Sequence, residues 1–173
     1  MVSELVAASV TAASAPAADP ALRFAILDLY AAYAACLDEQ RYAEWPEFFV
    51  DDCVYRVQPR ENFDRGLPLA TLAFESKGML RDRVYAITQT LFHAPYYQRH
   101  VVSGIALQTQ RSDGYDVTAS YLVLRTKQNE PTEVFNTGRY IDVLVWQDGR
   151  LKFKSKLAIF DSELIANSLI YPI

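Results

Sequence analysis

Two histidines, two cysteines and a set of carboxylates are the groups in this chain whose types and spacing could do chemistry. A facial iron site needs two histidines and a carboxylate at ligating geometry. A Rieske centre needs two cysteines and two histidines, normally as C-x-H and C-x-x-H pairs. His93 and His100 flank a stretch that contains Pro95, the residue two after Cys36 is Asp38, and the residue two after Cys53 is Tyr55. Neither cysteine has a histidine near it, so neither metal site assembles from these spacings. Serine and cysteine nucleophiles have no adjacent base, which sets covalent catalysis aside.

His100 stands next to Arg99 and has two readings. Paired with an aspartate in a pocket, it can do acid–base work on a small substrate. Alternatively, His100 and Arg99 bond carboxylates such as Asp38, Asp142 or Asp161 and hold strand ends together, the reading favoured here because no catalytic partner shows in the sequence. In a stand-alone enzyme, His100, Asp161 and Tyr55 would be the catalytic candidates. Asp161 falls in register with the apolar face formed by Leu157 and Ile159, so it must be paired or reach water, and a salt bridge is expected. Arg139 and Asp142 are three apart on one predicted strand and therefore on opposite faces, unless a bulge near Gly138 intervenes. The polar set Asp38, Arg99, His100, Arg139, Asp142 and Asp161 is accordingly read as structural, with no catalytic, cofactor-binding or metal-binding residue expected in this chain.

The elements that must position these groups centre on residues 99–161, which read as four long antiparallel strands joined by tight turns. In the last, Leu151, Phe153, Leu157 and Ile159 share one face, and Lys152, Lys154 and Lys156 the other, the alternation of a half-buried strand. The lysine row is expected on a solvated face or at the rim of a subunit contact. Asp148-Gly149 is a two-residue hairpin signal, while Ser112-Asp113-Gly114 and Asn129-Glu130-Pro131 punctuate the earlier joins. Upstream, Asp19-Pro20 caps a helix whose stripe is Leu22, Ile26, Leu29, Tyr30, Tyr33 and Leu37. A short helix around residues 42–49, a strand Cys53–Val57, a loop over 58–69 and a short strand within Leu69–Phe74 follow. Ser76 then caps a helix through Ile87, with Met79, Leu80, Val84 and Ile87 as its buried stripe. The apolar tail from Leu164 to Ile173 must dock in the core or on a partner.

Helices first and a long meander after them make an α+β fold. A curved, mostly antiparallel sheet wrapped on the N-terminal helix gives a cone with an internal pocket. Residues 1–19, Ala/Ser-rich and without a basic start, are expected to be a flexible or interface-tethered arm, and residues 20–173 one domain. The 17 basic and 21 acidic residues give a formal charge of −4, which argues against a nucleic-acid or anionic-membrane partner. No stretch is read as a membrane helix; the chain is expected to be cytoplasmic, with both cysteines reduced and buried.

A family resemblance adds to this. Glu44-Trp-Pro-Glu-Phe-Phe-Val-Asp-Asp-Cys-Val-Tyr55, Met79-Leu-Arg-Asp-Arg-Val84, Arg99-His-Val-Val-Ser103, Asn136-Thr-Gly-Arg-Tyr-Ile-Asp142 and Ile159-Phe-Asp-Ser-Glu-Leu164 occur in an order that resembles the small (beta) subunits of aromatic-ring-hydroxylating dioxygenases. The Glu61-Asn62, Gly66-Leu-Pro68 and Tyr97-Gln-Arg-His100 segments look most like the small subunits of terephthalate dioxygenase and salicylate 5-hydroxylase. The resemblance implies a cone-shaped NTF2-like (SnoaL-like) subunit that trimerises and supports three large (alpha) oxygenase subunits. It also implies that the Rieske [2Fe–2S] cluster and the mononuclear iron belong to the large subunit, and that the holoenzyme oxidises an aromatic carboxylate in aromatic catabolism. A stand-alone isomerase or dehydratase of this fold, or a small-ligand-binding cone domain, is the alternative.

Overall fold

The structure, a computed structural model, describes residues 19–162 and 169–173. Helix α1 (Pro20–Asp38) starts where the sequence places it, with the Asp19 carboxylate accepting from the Ala21 N–H at 3.1 Å and Pro20 in its first turn. A 3-10 turn (Trp45–Phe48) leads into β1 (Phe49–Pro59), a short α2 (Arg60–Asp64) and β2 (Leu72–Phe74). Ser76 caps α3 (Lys77–Tyr85), which continues into a π-helical turn over Ala86–Thr90. Four long strands complete the chain: β3 (Tyr96–Gln110), β4 (Tyr115–Lys127), β5 (Glu133–Gln147) and β6 (Arg150–Phe160).

These strands form one sheet in the order β2-β1-β6-β5-β4-β3, antiparallel throughout except where β1 runs parallel to β6. The turn between β5 and β6 is the Asp148-Gly149 pair, both at positive φ (53° and 73°), as the favoured two-residue hairpin requires. Gly138 is needed for a different reason: a Cβ there would stand 2.0 Å from the Ile159 carbonyl oxygen on β6.

Helix α1 covers the inner face of the sheet with Ile26, Leu29, Tyr30, Tyr33 and Leu37, all buried. Tyr30 and Tyr33 meet Phe153 edge-on at centroid distances of 5.6 and 5.3 Å, and Trp45 meets Tyr55 the same way at 5.2 Å. Edge-to-face packing suits the quadrupoles of these rings. The end of the chain docks here too: the Ile173 carbonyl accepts from the Tyr33 and Tyr55 hydroxyls at 2.9 and 3.1 Å. Leu164 and Ile165, like residues 1–18 of the expected arm, lie outside the described residues. Length and composition alone would let α1 cross a membrane (19 residues, mean hydropathy 1.3), contrary to the sequence reading, but its apolar stripe is spent on the sheet.

Three local expectations change. The loop over 58–69 contains α2, whose first turn follows Pro59. Met79 is exposed rather than buried, its sulfur accepting from the Glu75 N–H at 3.3 Å. The largest change is in β6. Leu144 pairs with Phe153 and Val143 with Ser155, so Lys154 is an extra residue opposite no partner. That bulge reverses the alternation beyond it. Leu151 and Phe153 face inward as expected, but from there on Lys156, Ala158 and Phe160 do, while Leu157 and Ile159 move to the opposite face.

Candidate functional site

The reversal carries Lys156 into the core. Its ammonium is 3.1 Å from Asp142 Oδ2 on the neighbouring strand, and both side chains are fully buried. Tyr30, from α1, donates to the same Oδ2 at 2.5 Å, and the Leu157 N–H donates to Asp142 Oδ1 at 3.3 Å. The ammonium also lies 3.3 Å from the centroid of the Tyr140 ring, with Phe153, Tyr33 and Tyr30 at 4.7, 4.8 and 5.0 Å. Four ring faces thus replace water around the cation. Burial pushes the Lys156 ammonium down to about 8, opposed by the Asp142 charge, and pushes the Asp142 carboxyl up, opposed by Lys156 and Tyr30. Desolvation dominates both shifts, since it penalises each charged form. Burial likewise raises the Tyr30, Tyr33 and Tyr140 hydroxyls well above the ordinary tyrosine range.

The second cluster lies where the end of α1 meets the start of β3. Asp38, the last residue of the helix, accepts from His100 Nδ1 at 2.7 Å and from the His100 backbone N–H at 3.0 and 3.1 Å. Arg99 reaches the same carboxylate at 3.6 Å. Because β3 is the edge of the sheet, Asp38 satisfies a backbone donor that would otherwise be offered to another chain. The His100 side chain is fully buried. Beside the pair, an open groove of about 510 Å³ runs between α1 and β3, walled by Ala31, Ala34, Ala35, Val102 and Ile105.

The remaining sequence candidates stand apart from both clusters. Asp161 is exposed on the outer side and pairs with Arg60 at 3.1 Å. Arg139 is exposed, reaches Asp64 at 3.4 Å and stacks its guanidinium on Phe63, on the face opposite Asp142. Tyr55 is buried against Trp45 and Ile173. The six polar residues therefore fall into three groups rather than one constellation: Asp38 with Arg99 and His100, Asp142 with Lys156, and Arg139 and Asp161 joined through Asp64 and Arg60. Sequence reasoning missed Lys156 and the aromatic box, and the signal for them was Asp142, a carboxylate on an otherwise apolar strand face that demands a cation.

The donor atoms do not fit a metal or cluster. Cys36, on α1, gives its thiol to the Arg41 carbonyl at 3.2 Å, and burial raises it to about 11; Cys53 is free on β1. His93 Nε2 bonds the Tyr171 hydroxyl at 2.8 Å and His100 Nδ1 is held by Asp38. Among the described residues, no three of His, Cys, Asp and Glu converge on a point where an ion would sit.

The SnoaL-like domain family matches residues 21–156. The anthranilate 1,2-dioxygenase small subunit of Burkholderia cepacia is 35% identical over 150 residues, covering 87% of this chain and 93% of that one. The terephthalate 1,2-dioxygenase terminal oxygenase subunit beta 2 of Comamonas sp. is 30% identical over 143 residues, covering 83% and 93%. Among solved structures, a protein of Novosphingobium aromaticivorans assigned as the beta subunit of an aromatic-ring-hydroxylating dioxygenase superposes with a TM-score of 0.81 at 38% identity, covering 88% and 97%.

Proposed function

We propose a role for this chain from one premise: it belongs to the SnoaL-like family as a small (beta) subunit of the aromatic-ring-hydroxylating dioxygenases. It is thus a subunit of an oxidoreductase complex. The role is scaffolding: the chain trimerises and seats large subunits, and contributes no catalytic group of its own. The iron centres that supply the redox and oxygen chemistry belong to the large subunit. The substrate is an aromatic carboxylate, the class to which anthranilate and terephthalate, named in two relatives, both belong.

The observation that carries the scaffolding role is that the ionisable side chains of both pairs are buried. Lys156, Asp142 and His100 have no exposed side-chain surface, whereas a general acid or base must come within hydrogen-bond reach of its substrate. Apolar surface lies elsewhere. On the outer face of β3–β5, Tyr97, Val101 and Val134 are 71%, 47% and 62% exposed, beside the half-buried Leu122 and Leu124. A contiguous apolar sheet face of this kind suits a subunit contact.

The test is co-expression with a large subunit whose sequence carries the C-x-H and C-x-x-H pairs. The small subunit alone should run as a trimer without stoichiometric iron, and the complex should contain the two chains in equal numbers with all iron on the large one. A monomer at micromolar concentration, or one tightly held iron per small subunit, would overturn the proposal.

A further inference from the structure

Residues 169–173 are held in a manner unlike the rest of the chain. Leu169, Tyr171, Pro172 and Ile173 are buried, yet they belong to no helix or strand, and no backbone-to-backbone hydrogen bond ties them to the other described residues. Side chains of the domain hold them instead. Arg83, on α3, donates from Nη2 to the Leu169 and Ile170 carbonyls at 2.8 and 2.6 Å. The Tyr171 ring packs on those of Tyr42 and Tyr96 at centroid distances of 5.0 and 4.5 Å, and its hydroxyl bonds His93 Nε2 at 2.8 Å. The Ile173 N–H donates to the Tyr55 hydroxyl at 2.9 Å, and the Ile173 carbonyl accepts from Tyr55 and Tyr33.

A domain holds a bound peptide in this way, with side chains reading the main chain and aromatic rings taking the peptide's own side chains. The partners come from separate places: α1, the turn after it, β1, α3 and the approach to β3. The segment therefore meets a cleft rather than a neighbouring strand. We infer that Tyr33, Tyr42, Tyr55, Arg83, His93 and Tyr96 form a peptide-binding cleft whose resident ligand is residues 169–173, a segment that leaves and re-enters while the sheet and helices stay folded, and that a free peptide of the same sequence replaces. The cleft sets the class of ligand. Two successive carbonyls face Arg83, whose half-buried guanidinium meets no carboxylate among the described residues. A hydroxyl-bearing aromatic follows, placed by Tyr42, Tyr96 and His93. Next comes a proline, which brings no N–H into space lined by rings, and then an aliphatic residue against Tyr33 and Tyr55. The tail does not saturate these partners. Arg83 Nε and His93 Nδ1 remain buried without a hydrogen bond among the described residues, whereas a fixed piece of core satisfies its polar atoms. A segment that shares no ladder bond with the sheet is also one that opens without unfolding it.

This inference goes beyond the scaffolding role and does not depend on the large subunit, so the two fail separately. The first measurement is hydrogen exchange on the unaltered chain. Residues 169–173 should exchange at least about tenfold faster than the amides of β5 and β6, through an opening of their own. Exchange in one step with those strands would overturn the inference. The second measurement uses the full chain carrying Tyr171→Ala and Ile173→Ala, which weakens the attached tail without shortening it. Its Tm should fall by roughly 6 °C or more. Millimolar Leu-Ile-Tyr-Pro-Ile should restore at least half of that loss by binding the folded state alone, and Leu-Ile-Ala-Pro-Ala should restore none. Adding Arg83→Met should abolish the recovery. An unchanged Tm, or a loss of melting temperature or of folding itself that the peptide does not restore, would make the tail a fixed part of the core and overturn the proposal.

Discussion

The Lys156–Asp142 and Asp38–His100 pairs each bring a carboxylate to a side-chain nitrogen inside the same small cone, yet they are built on opposite principles. The first joins two adjacent strands at the centre of the sheet, sealed by four rings, and owes its place to a bulge at Lys154. The second joins the end of a helix to an edge strand, with Arg99, 71% exposed, still in contact with water beside it. The difference teaches that burial sets what a charge pair is for. In the centre the pair is a constraint the rest of the core must satisfy. At the edge it is a clasp, tying α1 to β3 and covering a free backbone donor.

The sharpest way to break the comparison is to take one partner from the central pair. Lys156→Met leaves Asp142 buried with only Tyr30 and a backbone N–H for support, a loss of about 3–5 kcal/mol of folding stability. Adding Asp142→Leu should restore most of it, since two apolar side chains of similar size remove the desolvation problem on both sides. Urea unfolding of the single and double variants checks this. A single variant within ~1 kcal/mol of the parent would show that the centre behaves like the edge.

At the edge, Asp38→Ala strands the His100 backbone N–H and Nδ1 together, and should cost about 1–3 kcal/mol. The loss should appear as a lowered melting temperature and, in the proposed assembly, as weaker association of the small subunits with one another and with the large subunit. His100→Gln should move the same quantities less, because an amide can still donate to Asp38. Turnover per assembled complex should be retained in both. Full assembly and an unchanged melt with activity gone would turn the clasp into a catalytic dyad.

Acidity separates the regions again. The folded chain releases the Lys156 proton near pH 8, whereas the unfolded chain holds it to about 10.5. Between these limits the unfolded state binds more protons, so this contribution to stability grows as pH rises and is lost as pH falls back through 8. Asp142, raised by burial, has the opposite sign: its contribution declines as pH climbs above 3.8. The buried Cys36 and Cys53 thiols oppose the gain from about pH 9, and the buried tyrosines above pH ~10, because the unfolded chain ionises both kinds of group first. Lys156 should therefore contribute a gain on the order of 1–2 kcal/mol between about pH 8 and 9.5, which the urea midpoint of the parent registers less the opposing thiols. In Lys156→Met/Asp142→Leu that gain should vanish, while in Asp38→Ala it should persist.

Much of this architecture was legible before the structure. The Asp19 cap, the stripe of α1, the Ser76 cap and the Asp148-Gly149 turn are local signals, and local chemistry decides them. The clasp was half legible: Asp38 stood among three carboxylates offered to His100, and only the fold could choose. The central pair was hidden by its own regularity. Counting back from the hairpin turn places Asp142 opposite Ser155, with Lys154 and Lys156 on either side. An unbroken strand would have left Asp142 facing a hydroxyl in an apolar core. One extra residue brings an ammonium there instead, and the energy of pairing a buried carboxylate outweighs the ladder bonds lost at the bulge. Alternation alone carries no trace of that competition.

The smallest expected effect lies at the surface pair that the sequence grouped with these clusters. Asp161 meets Arg60 at 3.1 Å, but the two side chains are 48% and 56% exposed, and Arg60 divides itself between Asp161 and Asp64. Water solvates both charges almost as well when they are apart, and holding the long arginine in place costs rotamer freedom, so such pairs are worth about 0–1 kcal/mol. Asp161→Asn should therefore shift stability by less than ~1 kcal/mol, and the shift should shrink further in molar salt, where the Debye length is ~3 Å. The backbone N–H of Asp161 donates to the Thr137 carbonyl at 2.9 Å and is untouched by the change, which keeps the strand end in place. Unfolding at low and high salt, beside turnover normalised to assembled complex, measures this. A loss comparable with that of Lys156→Met, insensitive to salt, would mean that Asp161 is desolvated in the assembled enzyme, and the carboxylate would then belong with the central pair rather than the rim.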